Sequence, residues 1–161
     1  MPDLVLRLPD FFREAQTPPL FINTIGGAGP PHWEPAVEPF FVGEAAIPAR
    51  AVALAESILF LIQTNLDTLD SGGYHTGKLR ITGGLSHLDD LCQRMADLSG
   101  VMLYRPADTE TTARGIAWLA FQCPKRWPKP GKGRIFEPRK NPALRDRYAQ
   151  FCRIIEETVH P

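Results

Sequence analysis

From Val52 onward, apolar residues recur at Leu54, Ala55, Ile58, Leu59, Leu61, Ile62, Leu66 and Leu69. That spacing is close to 3.6 and the stripe is wide, so a helix over 48–69 is expected to be buried on more than one side. Pro48 suits its first turn, where a missing N–H costs nothing. The stretch "DSGGYHTG" stops it. The same period runs through Leu88, Leu91, Cys92, Met95 and Leu98, and Gly100 closes that helix. Ser86 is placed to cap it, with Asp89 three positions on as a weak capping box. A third helix is predicted over 109–122, capped by Asp108 or Thr109, with Ala113, Ile116, Ala117 and Ala120 on its inner face. Gly115 sits inside it, and close contact with a backbone or a ligand would explain a glycine there. A last helix opens at Asn141 and Pro142 and carries Leu144, Tyr148, Phe151, Cys152, Ile155 and Val159 on one side.

Between these lie short runs rich in β-branched and aromatic residues: "LFINTI" (20–25), "KLRIT" (78–82) and "VMLYR" (101–105). Glycine and proline make 26–35 a loop, and "CPKRWPKPGKGRIFEPRK" (123–140) reads as a long basic one. Residues 1–19 form a lead-in with a short amphipathic piece, "DFFREAQ", closed by Pro18–Pro19. The order helix–strand–helix–strand–helix, with short turns, predicts an α/β unit of parallel strands joined by crossover helices. Residues 20–122 are its core, followed by the basic loop 123–140 and the terminal helix 141–161.

Composition changes this picture little. The 161 residues are 43% hydrophobic and 22% charged, with 18 basic and 18 acidic side chains. That balance offers no global field for nucleic acid or an acidic membrane. Cys92, Cys123 and Cys152 are odd in number and lack CxxC spacing, so they read as reduced, mostly buried thiols of a cytoplasmic protein. The N-terminus has no signal-peptide pattern. The longest apolar run, "SILFLI", is too short to span a bilayer.

The chemistry concentrates at Gly83–Gly84, between a strand and a helix. Exposed N–H groups at a positive helix end suit an anion, and without a β-carbon a ring or phosphate can lie against the chain. The pattern is neither GxGxxG nor GxxxxGK[ST]. A tight turn without a ligand accounts for the same residues. His32 beside Trp33 suits a sugar or base platform, or else a rigid surface loop with the indole tucked in. Lys125, Arg126, Lys129, Lys132, Arg134, Arg139 and Lys140, with Trp127 among them, imitate a nucleic-acid patch without any recognised binding motif, so a solvated loop is the preferred reading. His32, His75, His87 and His160 show no metal-ligand spacing. Asp89 and Asp90 belong to a helix first turn and make no convincing base.

Five segments, in order, resemble the C-terminal domain of the FGGY carbohydrate kinases, the group of glycerol kinase and xylulokinase. "FINTIGGAGPPHW" is similar to the family's strand and loop ending in Gly-x-Pro-x-Trp. "GEAAIPARAVALAESILFLIQTNLDTL" resembles the helix after its Thr-Arg-Gly turn, although Glu44–Ala45 stand where Arg–Gly is usual. "ITGGLSHLDDLCQRMADLSGVMLYRP" resembles Asp-Gly-Gly, a helix with Gln and Ala-Asp, then a strand ending in Arg-Pro. "ETTARGIAWLAF" and "FEPRKNPALRDRYAQF" match the family's Glu-x-Thr-Ala-x-Gly helix and closing Phe-x-Pro helix.

The resemblance implies a partial actin-like ATPase (ribonuclease H-like) domain that binds ATP, with Mg²⁺ neutralising the phosphates. Gly83, Gly84, Leu85, Ser86 and Leu88 would form the nucleotide side. Thr82 departs from the family's Asp or Gly, and Leu88 from the Asn of glycerol kinases. The reaction would pass the ATP γ-phosphoryl group to a sugar or polyol hydroxyl. The family's catalytic Asp, its phosphate-binding Gly-Thr-Gly hairpin and the substrate half have no counterpart here. The chain is therefore expected to be a fragment, a truncated gene product or one piece of a split enzyme, inactive alone. The alternative is a non-catalytic nucleotide-binding or interaction module that docks a complementary kinase half.

Overall fold

The structure is a computed structural model, and it describes residues 2–15, 17–129 and 131–159. The chain folds as two compact units, one of residues 1–76 with 140–161, the other of residues 77–139.

The first unit is built on helices. α1 (Pro2–Glu14) extends well N-terminal of "DFFREAQ" and buries Leu8, Phe11 and Phe12. β1 (Leu20–Ile22) is shorter than the predicted strand and pairs antiparallel with β2 (Phe40–Val42) in the register Phe21↔Phe41. α2 (Ile47–Ser71) carries Pro48 in its first turn, as expected, and buries Val52, Ala55, Leu59 and Phe60. α5 (Pro142–Val159) starts where the sequence places it, with Asn141 Oδ1 accepting the Leu144 N–H at 3.2 Å. Its Phe151 ring lies 5.3 Å from that of Phe60.

By length and composition α2 could cross a membrane, with mean hydropathy 1.4 over its most apolar window. The run "SILFLI" alone understates it. A buried charge identifies it instead as a core helix: Glu56, 1% exposed, receives Arg147 Nε at 3.0 Å and Nη2 at 2.5 Å from α5.

The second unit carries the glycine pair. β3 (Lys78–Arg80) and β4 (Met102–Arg105) are parallel, in the register Leu79↔Leu103. The crossover between them is a single 3₁₀ turn, Gly84–His87, followed by α3 (Asp89–Ser99). Gly100 ends α3 in the left-handed conformation with φ 73°, as predicted. β5 (Arg134–Phe136) then pairs antiparallel with β4, so the sheet order is β3-β4-β5. The fold is α/β with a parallel pair, as expected, but β2 and β5 add antiparallel partners that the sequence order lacked. Leu103, Phe136, Leu91, Cys92, Met95 and Ala96 make this unit's core.

α4 (Thr111–Ala120) departs further from expectation. None of its side chains is buried, and Ile116, Leu119 and Phe121 stand mostly in solvent. The stripe is periodic, but no described segment covers it. Nor is Glu110, its N-cap, replaced by Asp108 or Thr109; Asp108 Oδ1 instead accepts the Glu110 N–H at 3.1 Å.

Candidate functional site

The turn after β3 is tied down from both sides. Gly83 N–H donates to Thr109 O at 2.9 Å, and Ser86 Oγ donates back to Gly83 O at 2.6 Å. Ser86 is fully buried, so its hydroxyl is used within the turn and does not cap α3. The cap position belongs to Leu88, which has extended backbone (φ −82°, ψ 103°) and no capping side chain. The physical reason is the intervening 3₁₀ turn, which moves the α-helical start to Asp89.

The two glycines have different causes. Gly83 has φ 86° and ψ 176°, a region open almost only to glycine. Gly83→Ala is therefore expected to lower stability by roughly 1–3 kcal/mol, read by chemical denaturation. Gly84 has no positive φ, and a β-carbon added there would meet nothing within 4 Å. Nothing within the described chain requires a glycine at this position. Bare backbone at Gly84 and the 41%-exposed Leu85 thus face open space. Of the remaining residues singled out from sequence, Ser86 is buried and Leu88 half-buried.

Beside the turn lies an open cleft of about 570 Å³, lined by Arg80 of β3 and Thr82 just after it, Thr111, Arg114, Gly115 and Trp118 on α4, and Trp127. Thr111 Oγ1 donates to Thr82 Oγ1 at 3.0 Å, joining the two walls. A β-carbon at Gly115 would meet no neighbour within 4 Å, so no backbone presses on that glycine; it faces the cleft. Its position inside a helix was the one sequence signal for this wall. Trp118 and Arg80 carried none, and Trp127 stood out only as part of the basic segment.

The other candidates separate cleanly. Trp33 is 73% exposed rather than tucked in, while the His32 side chain is largely buried, with Nδ1 3.7 Å from Glu156 Oε2. The two do not form one platform. In the basic segment Arg134 belongs to β5 and pairs with Asp89, and the Trp127 ring lies under Arg114 at 5.6 Å. Asp89 also receives Arg105 at 2.9 Å, so both its oxygens are held by guanidinium groups and it is no free base. Cys92 is buried, Cys152 half-buried and Cys123 exposed; all are free. Burial pushes the Cys92 and Cys152 thiols up, which keeps them protonated and unreactive at neutral pH. No group of three or more His, Cys, Asp or Glu among the described residues is placed to hold a metal.

Residues 11–122 match the model of the FGGY family of carbohydrate kinases, C-terminal domain. The glycerol kinase of Sinorhizobium fredii is 34% identical over 132 residues, covering 74% of this chain and 27% of that protein. The glycerol kinase of Dechloromonas aromatica is 32% identical over 146 residues, covering 83% of this chain and 29% of that protein. Among solved structures, Plasmodium falciparum glycerol kinase with ADP overlays with a TM-score of 0.76 at 20% identity, covering 96% of this chain and 34% of that one. Ligand-bound xylulose kinase from Lactobacillus acidophilus gives 0.69 at 20% identity, covering 94% and 34%. The chain spans between about a quarter and a third of the length of the curated relatives described and of the structures it overlays.

Proposed function

We propose, because this chain belongs to the FGGY family of carbohydrate kinases, that its 83–88 turn forms the nucleotide side of a phosphoryl transfer from ATP to a sugar or polyol hydroxyl. The observation that carries this reading is Gly84, a glycine that no contact in the described chain demands and whose α-carbon faces open space. A purine nucleoside or an α-phosphate resting there would supply the demand. Gly83 fixes the turn, Gly84 and Leu85 offer the surface, and Ser86 and Leu88 hold the turn's shape from behind.

ATP brings the transferable phosphoryl group, and Mg²⁺ would arrive with it, held mainly by phosphates and water. This chain binds and orients one end of the nucleotide. The carboxylate that takes the hydroxyl proton and the residues that hold the acceptor are assigned outside these residues. Asp89, the acid nearest the turn in sequence, is already paired with Arg105 and Arg134. A cytoplasmic setting, where ATP and its acceptors meet, belongs to the same reading.

A second reading, docking of a complementary kinase half, is favoured by two observations on one unit. Among the described residues β3 pairs with β4 alone, leaving its other edge of N–H and C=O groups open, and none of them covers the apolar face of α4. The test is to mix the purified chain with the N-terminal portion of a related glycerol kinase. Co-elution and ATP-dependent phosphorylation of a polyol or ketose by the mixture, with neither part active alone, are expected. Turnover by this chain alone contradicts the assignment of the base elsewhere. Failure to associate contradicts the docking reading.

A further inference from the structure

The 83–88 turn also contributes His87 to a smaller, more enclosed pocket of about 240 Å³, lined besides by Arg105, Pro106, Ala107, Thr109, Lys132, Gly133 and Arg134. Its charge is one-sided. Arg105, Lys132 and Arg134 supply three positive charges, and among the described residues the one carboxylate paired with them is Asp89, which pairs with both arginines. Lys132 has no ion pair among the described residues. The walls are polar and fixed. Thr109 is 7% exposed, and its Oγ1 lies 3.0 Å from His87 Nε2. Arg105 Nη1 donates to Ser86 O at 2.6 Å, which holds the guanidinium at the pocket's edge.

The loop that brings Lys132 over this pocket depends on Gly133. A β-carbon there would collide with the carbonyl oxygen of Arg105 and the ring of Tyr104. Only glycine lets the segment pass so close to the end of β4 and run straight into β5. Gly133 thus sets the path of the loop at the rim of this cationic pocket, next to Lys132, an exposed residue with no ion pair among the described residues.

We propose that this pocket is a second anion site, separate from the nucleotide surface at Gly84, and that it takes a phosphate dianion, either inorganic phosphate or the phosphate group of a small monoester. Excess positive charge, partial enclosure and hydroxyl and imidazole groups at the wall suit a phosphate oxygen set better than a carboxylate-bearing peptide. The site rests on residues of the 77–139 unit alone and does not require the kinase reading to hold.

The test is a titration of the ¹⁵N-labelled 161-residue chain with inorganic phosphate, and in parallel with phenyl phosphate, each against chloride at equal ionic strength. Saturable shifts at Ala107, Thr109, Lys132 and Gly133 are expected. Lys132→Gln should weaken the response about tenfold and leave the remaining spectrum in place. Saturation by both ligands identifies the phosphate group itself as the recognised feature; saturation by one alone identifies the free ion or the ester. Shifts spread equally over Lys125, Lys129 and Lys140, or unchanged by Lys132→Gln, overturn the proposal, as does no response. An ATP analogue that still perturbs Gly84 in Lys132→Gln leaves the nucleotide reading intact whatever happens here. In the unsubstituted chain, a silent Gly84 with the ATP analogue beside a saturable phosphate response overturns the nucleotide reading and leaves this site standing.

Discussion

Arg147→Ala is expected to lower the stability of the chain by about 3–5 kcal/mol, more than any substitution on the 83–88 turn. Arg147 donates from Nε and Nη2 to Glu56, from Nη1 to Pro18 O at 2.5 Å, and from Nη2 to Pro19 O at 3.0 Å. One guanidinium therefore satisfies a buried carboxylate on α2 and two carbonyls in the segment just before β1. Removing it leaves the Glu56 charge buried at 1% exposure with its main partner gone. Breaking such a pair costs far more than the pair contributes beyond an apolar replacement. The double substitution Glu56→Leu with Arg147→Met should therefore recover most of the loss. Thermal unfolding reads both: a fall of roughly 10 °C for the single substitution and a much smaller one for the double. Equal falls would show that the carbonyl contacts, not the carboxylate, dominate.

Gly84→Val is expected to weaken binding of a non-hydrolysable ATP analogue about tenfold or more, because a branched side chain would occupy the surface on which the nucleotide rests. The same change should move stability by less than about 1 kcal/mol, since no atom of the described chain lies within 4 Å of the added β-carbon. The contrast with Gly83 is the informative part. At Gly83 the backbone conformation demands glycine and the penalty falls on folding. At Gly84 the penalty falls on binding. Calorimetric titration and denaturation of the two variants side by side separate a ligand-facing glycine from a turn-making one.

Long periodic elements were legible in the sequence. α2, α3 and α5 appear where apolar spacing and the end signals Gly100 and Asn141 put them. The strands "FFV" and "RIF" were not, because three residues give too few alternations to mark a period. "RIF" also sits in a stretch whose proline, glycine and lysine content argues for loop. Ser86 looked like a cap because Ser-x-x-Asp spacing is local, whereas the 3₁₀ turn that absorbs it is set by the Gly83 conformation and the bond to Thr109. The stripe on α4 is apolar, as its spacing predicts, but none of the described residues covers it; periodicity reports a face, not what lies on it. Glu56 and Arg147 are 91 positions apart, and no pattern along the chain links them. At the site itself, the glycine pair was visible, but which glycine serves the fold and which faces outward follows only from the backbone angles and the space above them.

The most direct measurement is an amide-resonance titration with a non-hydrolysable ATP analogue, on the chain alone and on the chain mixed with the N-terminal portion of a related kinase. Saturable shifts at Gly83, Gly84 and Leu85, tighter in the mixture, are expected. Unmoved resonances at all three positions in both samples would contradict the nucleotide reading.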